Sequence, residues 1–119
     1  MEFSENKSIF MQVADYVCDK ILGGAWGAEE RIPSVRELGV ELQINPNTAV
    51  RSFDFLQKEN IIYMKRGMGY YVMEEAIENI KRLRRKDFFE NQLPLFIKTM
   101  NTLGIGFEEV RSYLVTSNE

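Results

Sequence analysis

Arg31-Ile32-Pro33-Ser34-Val35-Arg36-Glu37-Leu38, followed shortly by Gln43-Ile44-Asn45-Pro46-Asn47-Thr48-Ala49-Val50-Arg51, is the stretch that decides the fold. In the first segment Ser34 can cap a helix that begins near Val35, and Glu37 can reach back to complete a capping box. Val35, Leu38 and Leu42 line one side of this helix, which runs out at Gln43-Ile44. In the second segment Asn45 is a favoured N-cap and Pro46 is tolerated at the first helical position, so a new helix starts at once. Its inner face carries Ala49, Phe53 and Leu56, and it ends about Glu59-Asn60, where Asn60 suits a left-handed terminus. Two helices joined by so tight a turn cross steeply, which is the helix-turn-helix arrangement.

Upstream, Ile9, Phe10, Val13, Val17 and Ile21 recur at steps of three and four between Ser8 and Leu22, and Gly23-Gly24 terminates that helix. Downstream, Ile61-Ile62-Tyr63-Met64-Lys65 and Tyr70-Tyr71-Val72-Met73 are rich in strand formers. Arg66-Gly67-Met68-Gly69 between them provides the positive-φ residues of a hairpin loop. A hairpin directly after a helix-turn-helix is a wing. From Glu74 the strand signal disappears; Ala76 to Leu103 reads as helix interrupted or bent at Pro94, followed by Gly104-Ile105-Gly106 and a last helix near Phe107 to Leu114. The expected architecture is therefore mainly α with a small β-hairpin: a winged helix-turn-helix domain over residues 1–73, then a short helical dimerisation region over 74–119.

Composition narrows the chemistry. With 119 residues, 45% hydrophobic and 28% charged, the chain has room for one packed domain and an appendage. The absence of His removes the usual general base and the commonest transition-metal ligand, and a single Cys makes neither an internal disulfide nor a thiolate zinc site. No metal and no cofactor are expected. No apolar run approaches the roughly 20 residues of a membrane span, and the N-terminus lacks a basic stretch followed by an apolar one, so a cytoplasmic protein is expected. The net charge of −3 argues against bulk attraction to nucleic acid. Locally the sign reverses: from Arg31 to Val72 six basic residues face four acidic ones. Affinity follows where cations meet phosphates rather than the total.

A helix entering the major groove presents its N-terminal side chains to base edges. Asn47, Thr48 and Arg51 lie on the side away from Ala49, Phe53 and Leu56; Arg pairs bidentately with guanine and Asn with adenine. Ser34, the amides opening its helix and Arg36 can hold a phosphate. Lys65 and Arg66 at the wing offer cations to the backbone or minor groove, and Gly67 and Gly69 let the main chain approach closely. Asp54, one turn after Arg51, is placed to pair with it. Each feature also has a plain structural use: Ser34 as a cap alone, the two glycines as a turn alone, Asn47 and Arg51 as solvated surface. Their succession in one helix-turn-helix-wing order favours binding.

These segments resemble the GntR family of bacterial transcription regulators, and in particular its small YtrA-type branch. The resemblance is carried by Ile9-Phe10-Met11-Gln12-Val13, by Arg31 to Leu38, by Asn45 to Arg51 and by Arg66-Gly67-Met68-Gly69-Tyr70-Tyr71-Val72, and spans about residues 8 to 73. It implies that Ser34, Arg36, Asn47, Thr48, Arg51, Arg66 and Gly69 contact DNA. Three positions depart from the family pattern. Gln43 stands where Gly is frequent, at a cost of roughly 1 kcal/mol if the bend is left-handed. Asn60-Ile61 replaces a common Gly-Leu step, and Tyr70 replaces a small Thr or Ser.

Phe89, Leu93, Phe96, Met100 and Leu103 follow steps of four, three, four and three, the spacing that keeps one seam against a partner helix. A tail of this length cannot close a large core alone, so the seam is expected to form a homodimer interface; packing back on the first helix of the same chain is the competing use. Lys81-Arg82-x-Arg84-Arg85-Lys86 is either a solvated face balanced by nearby acids or a second contact with DNA flanks. Other GntR branches attach an effector pocket here, often with metal-binding His, which this tail lacks.

The function expected is thus a sequence-specific transcriptional regulator, a repressor, binding a pseudo-palindromic operator in double-stranded DNA as a homodimer. The alternative is a winged-helix module that binds another protein through the same helix. An enzyme is not expected: Gly67-x-Gly69 lies between two strands, so it is no dinucleotide fingerprint, and no carboxylate pair is placed in an identifiable cleft.

Overall fold

Ser8 opens the first helix, α1 (Ile9–Leu22), by accepting a hydrogen bond from the Met11 amide. The computed structural model describes residues 7–117; residues 1–6 of the expected 1–73 domain and 118–119 of the expected 74–119 region lie outside the described residues. Val13, Val17 and Ile21 of α1 are buried as the stripe requires. The capping box closes on α2 (Val35–Leu42): the Glu37 amide donates to Ser34 Oγ at 3.1 Å and the Ser34 amide to Glu37 Oε1 at 3.2 Å. Gln43 then turns left-handed, with φ 55° and ψ 50°, and sends the chain into α3 (Pro46–Lys58), whose first turn is capped by Asn45. Ala49, Phe53 and Leu56 are buried on the inner face. Asn60, with φ 58°, supplies the left-handed exit.

The hairpin pairs β1 (Ile62–Lys65) with β2 (Gly69–Val72) antiparallel, from Ile62 opposite Val72 to Lys65 opposite Gly69. A short stretch before α2 adds to its outer edge: the Ile32 amide donates to the Tyr70 carbonyl at 2.9 Å and the Val72 amide to the Glu30 carbonyl at 3.0 Å, making a bridge between Arg31 and Tyr71. Phe53 of α3 meets Tyr70 edge to face, 4.8 Å between ring centres, so the wing is packed onto α3. Truncating a buried aromatic such as Phe53 costs about 3 to 5 kcal/mol. Ala76 and Ile80 of α4 (Ala76–Asp87) complete this core, and the compact unit closes at Leu83.

The second unit, from Arg84 onward, continues α4 through a widened π turn (Phe88–Gln92) into α5 (Leu93–Leu103), and ends with α6 (Phe107–Ser117). Sequence reading placed a break or bend at Pro94; the helical path is instead loosened just before it. Proline has no amide hydrogen and its ring crowds the carbonyl four residues back, that of Glu90. The Leu93 amide accordingly reaches the Phe88 carbonyl, five residues away, and the turn expands around the ring. Gly104, with φ 70°, ends α5. No described side chain of this unit is fully buried. Among the described residues no helix is long and apolar enough to cross a membrane.

Candidate nucleic-acid interface

The outer side of α3 is built by its own cap. Asn45 Oδ1 accepts from the Asn47 amide at 2.8 Å, which spends the Asn45 side chain on the helix and leaves that of Asn47 exposed. Arg51 is exposed one turn on, whereas Thr48 is half-buried on the flank, its carbonyl 3.0 Å from Ser52 Oγ. The same Ser52 hydroxyl lies 2.8 Å from the Phe10 carbonyl of α1, so its single proton is shared between two acceptors and ties the two helices together. Arg51 does not pair with Asp54. Its guanidinium carbon lies 4.3 Å from the centre of the Phe10 ring. An aromatic face at that distance attracts a guanidinium and adds dispersion contact, while the exposed carboxylate one turn away gains little against water.

Ser34 is half-buried and Arg36 exposed at the start of α2. The Ser34 oxygen accepts from the Glu37 amide, and its own proton acts on the Glu37 carboxylate, so a phosphate at this cap would compete with Glu37 for that proton. Glu37 holds its carboxyl below the usual range, first because the Ser34 amide donates to it, then through the Ser34 side chain, with the nearby Arg31 charge adding to the effect.

At the wing, Lys65 Nζ lies 4.3 Å from the Tyr71 ring centre and 5.9 Å from that of Tyr63, above two rings that stack 6.0 Å apart. The Tyr63 hydroxyl bonds to the Glu29 carboxylate, which pushes its pKa up to about 12. Arg66 is exposed at the tip. Gly69 is favoured by its φ of 101°, and the Arg31 Nε lies 3.0 Å from where a Cβ would stand, so a larger residue would also have to displace that side chain.

Residues 10–72 match the family described as bacterial regulatory proteins, gntR family. The chain belongs to the GntR family. Over 120 aligned residues it is 28% identical to YhcF of Bacillus subtilis, an HTH-type transcriptional regulator, covering 99% of this chain and 96% of that protein. It is 27% identical to the HTH-type transcriptional repressor YtrA of the same organism, over 89% of this chain and 81% of that one. A GntR-family regulator from Bacteroides thetaiotaomicron superposes with a TM-score of 0.78 at 37% identity, covering 94% of this chain and all of the other. The protein is therefore a GntR-family DNA-binding transcription regulator rather than an enzyme, and its likeness to YtrA extends beyond the winged helix.

Within the GntR fold, Arg31 is the residue that sequence reading left out of the site. It entered the motif that carries the family resemblance and the regional charge count but not the expected contacts, yet its guanidinium lies against the wing at Gly69 and its charge acts on the α2 cap. The one signal in the sequence is the alternation of Arg31 with the fully buried Ile32, a period-two pattern too short to read as a strand. The Tyr63–Tyr71 platform under Lys65 was equally unread, because it depends on hairpin register.

Proposed function

We propose that this GntR-family regulator is a cytoplasmic repressor that binds a pseudo-palindromic operator as a homodimer. In this reading Asn47, Thr48 and Arg51 meet base edges and the adjoining backbone. Ser34, Arg36, Lys65, Arg66 and the Gly69 main chain hold phosphates on either side. Residues 1–73 carry the DNA-reading elements and residues 74–119 the dimerisation region, the first turns of α4 being packed into the core of the DNA-reading unit. The observation that carries it is the outward face of α3, capped by Asn45 and open to solvent, flanked by the Ser34 cap and a wing bearing two cations. The seam supports the dimer: Phe89, Phe96 and Leu103 are 53%, 50% and 66% exposed in the protomer, with Leu93 and Met100 half-buried beside them. Exposed apolar side chains of this size support a surface that a second copy covers. The repressor role follows the name of YtrA.

Selection of bound sequences from randomised duplexes tests the reading. An inverted repeat should be enriched, and affinity for it should fall steeply between about 50 and 200 mM salt. A pool with no inverted repeat would defeat it.

A further inference from the structure

Phosphate attraction alone does not explain which residues face outward from α3. Asn47, Val50, Arg51 and Asp54 succeed one another at steps of three, one and three, and all four are exposed, opposite the buried Ala49, Phe53 and Leu56. Val50 is 43% exposed, a branched apolar side chain directed away from the core. Asp54 is an exposed carboxylate on a face meant for a polyanion. Arg51 is stacked on Phe10 instead of pairing with it, and the exposed Lys58, one turn on, is the cation on its other side. Beside phosphates that carboxylate lowers affinity, and Val50 gains nothing from water. Both side chains match the edges of bases. The C5-methyl of thymine is the apolar feature of the major groove, and the amino group of cytosine is a donor suited to a carboxylate. Four helical residues separate the two along about 6 Å of axis, close to two base-pair steps.

We propose that Val50 and Asp54 are specificity-determining residues: Val50 seats against a thymine methyl, and Asp54 accepts a hydrogen bond from a cytosine amino group a short step away in the same half-site. The inference rests on α3 entering the major groove, as proposed above. It also gives the acidic residue a use that offsets its repulsion from the backbone, since a carboxylate rewards only the correct base and penalises every other sequence.

The test is duplex selection with the full chain and with Asp54→Asn, followed by titration of the enriched operator with the full chain and with Val50→Ser. Both substitutions fall on exposed positions, and thermal unfolding checks that the fold is kept. Asp54→Asn should replace cytosine by adenine at one position in each half-site, because an amide pairs with adenine, and leave the others as they were. Deoxyuridine in place of the contacted thymine lacks only the methyl; it should weaken the full chain about four-fold and Val50→Ser by less than about two-fold. If the full chain enriches an inverted repeat that Asp54→Asn leaves unchanged, the assignment of Asp54 is overturned. If no thymine-to-deoxyuridine exchange separates the full chain from Val50→Ser, that of Val50 is overturned. In both cases the operator reading stands. If the full chain enriches no inverted repeat, the operator reading itself fails and takes this inference with it.

Discussion

Arg51 of α3 lies with its guanidinium carbon 4.3 Å from the ring centre of Phe10 of α1, and the Phe10 carbonyl is within 2.8 Å of the Ser52 hydroxyl of α3. The start of the first helix thus aims a side chain of the third. Phe10→Leu keeps the apolar bulk and removes the aromatic face. It should weaken operator binding about two- to five-fold, the worth of an exposed cation–π contact of roughly 0.5 to 1 kcal/mol. Fluorescence anisotropy on one operator would measure it; an unchanged Kd would mean that the stacking does not prepare Arg51.

Gln43 occupies the left-handed bend between α2 and α3 with φ 55°. Gln43→Gly should relieve the strain and stabilise the protein by about 1 kcal/mol, against which the greater freedom of an unfolded glycine is a partial offset. For a domain of this size that corresponds to a rise of several degrees in Tm, read by calorimetry. A fall in Tm would mean that the Gln side chain contributes more than its backbone costs.

Glu37 has a folded pKa below its ordinary value of 4.5 because the Ser34 amide and hydroxyl act on its charged form. A depressed carboxyl contributes stability that is present above the unfolded value and is lost as pH falls through the folded one. The Tm advantage of the natural chain over Glu37→Gln should therefore be largest above pH 4.5 and shrink on acidification below it. Parallel melts across that range would show it. A difference that does not vary with pH would assign the cap to geometry rather than charge.

Arg66→Ala and Arg31→Ala should each weaken binding to all sequences alike and lower the slope of log K against log salt by about 1, the mark of one lost phosphate contact. Arg51→Ala should instead relax the preference at one position of the selected site. If Arg31→Ala leaves the salt slope intact, its place beside Gly69 serves only the wing.

Phe96 is half exposed in the middle of the α5 seam. Phe96→Glu should leave the protomer folded and shift sedimentation equilibrium from dimer to monomer, since a carboxylate at a shared apolar seam must be buried unpaired. Operator affinity should fall with it, because two half-sites would no longer be bound together. A dimer that survives the substitution would move the interface elsewhere.

The helix-turn-helix and its wing were legible because each element carried its own local signal. Ser34 with Glu37 and Asn45 with Pro46 fixed two helix starts through hydrogen bonds made within a single turn. Gly67 and Gly69 marked the hairpin through backbone conformations open to few other residues. Contacts between distant parts of the chain were not legible. The stacking of Arg51 on Phe10, rather than a pairing with Asp54, depends on how α1 crosses α3. The position of Arg31 depends on a bridge to Tyr71 from far along the sequence. At Pro94 the disturbance was legible but not its form, since a missing donor can be met by a kink or by a wider turn.

The bridge between Arg31 and Tyr71 divides the wing mechanically. Its base is held on both edges of β2 by amides that donate across the strands, while Arg66 and Gly67 lie beyond the last paired residues, Lys65 and Gly69. Amide hydrogen exchange should accordingly be slow at Ile32 and Val72 and fast at Arg66 and Gly67. A rigid stem with a compliant tip would let the cation at its end shift position without disturbing α3, the helix proposed to meet the bases.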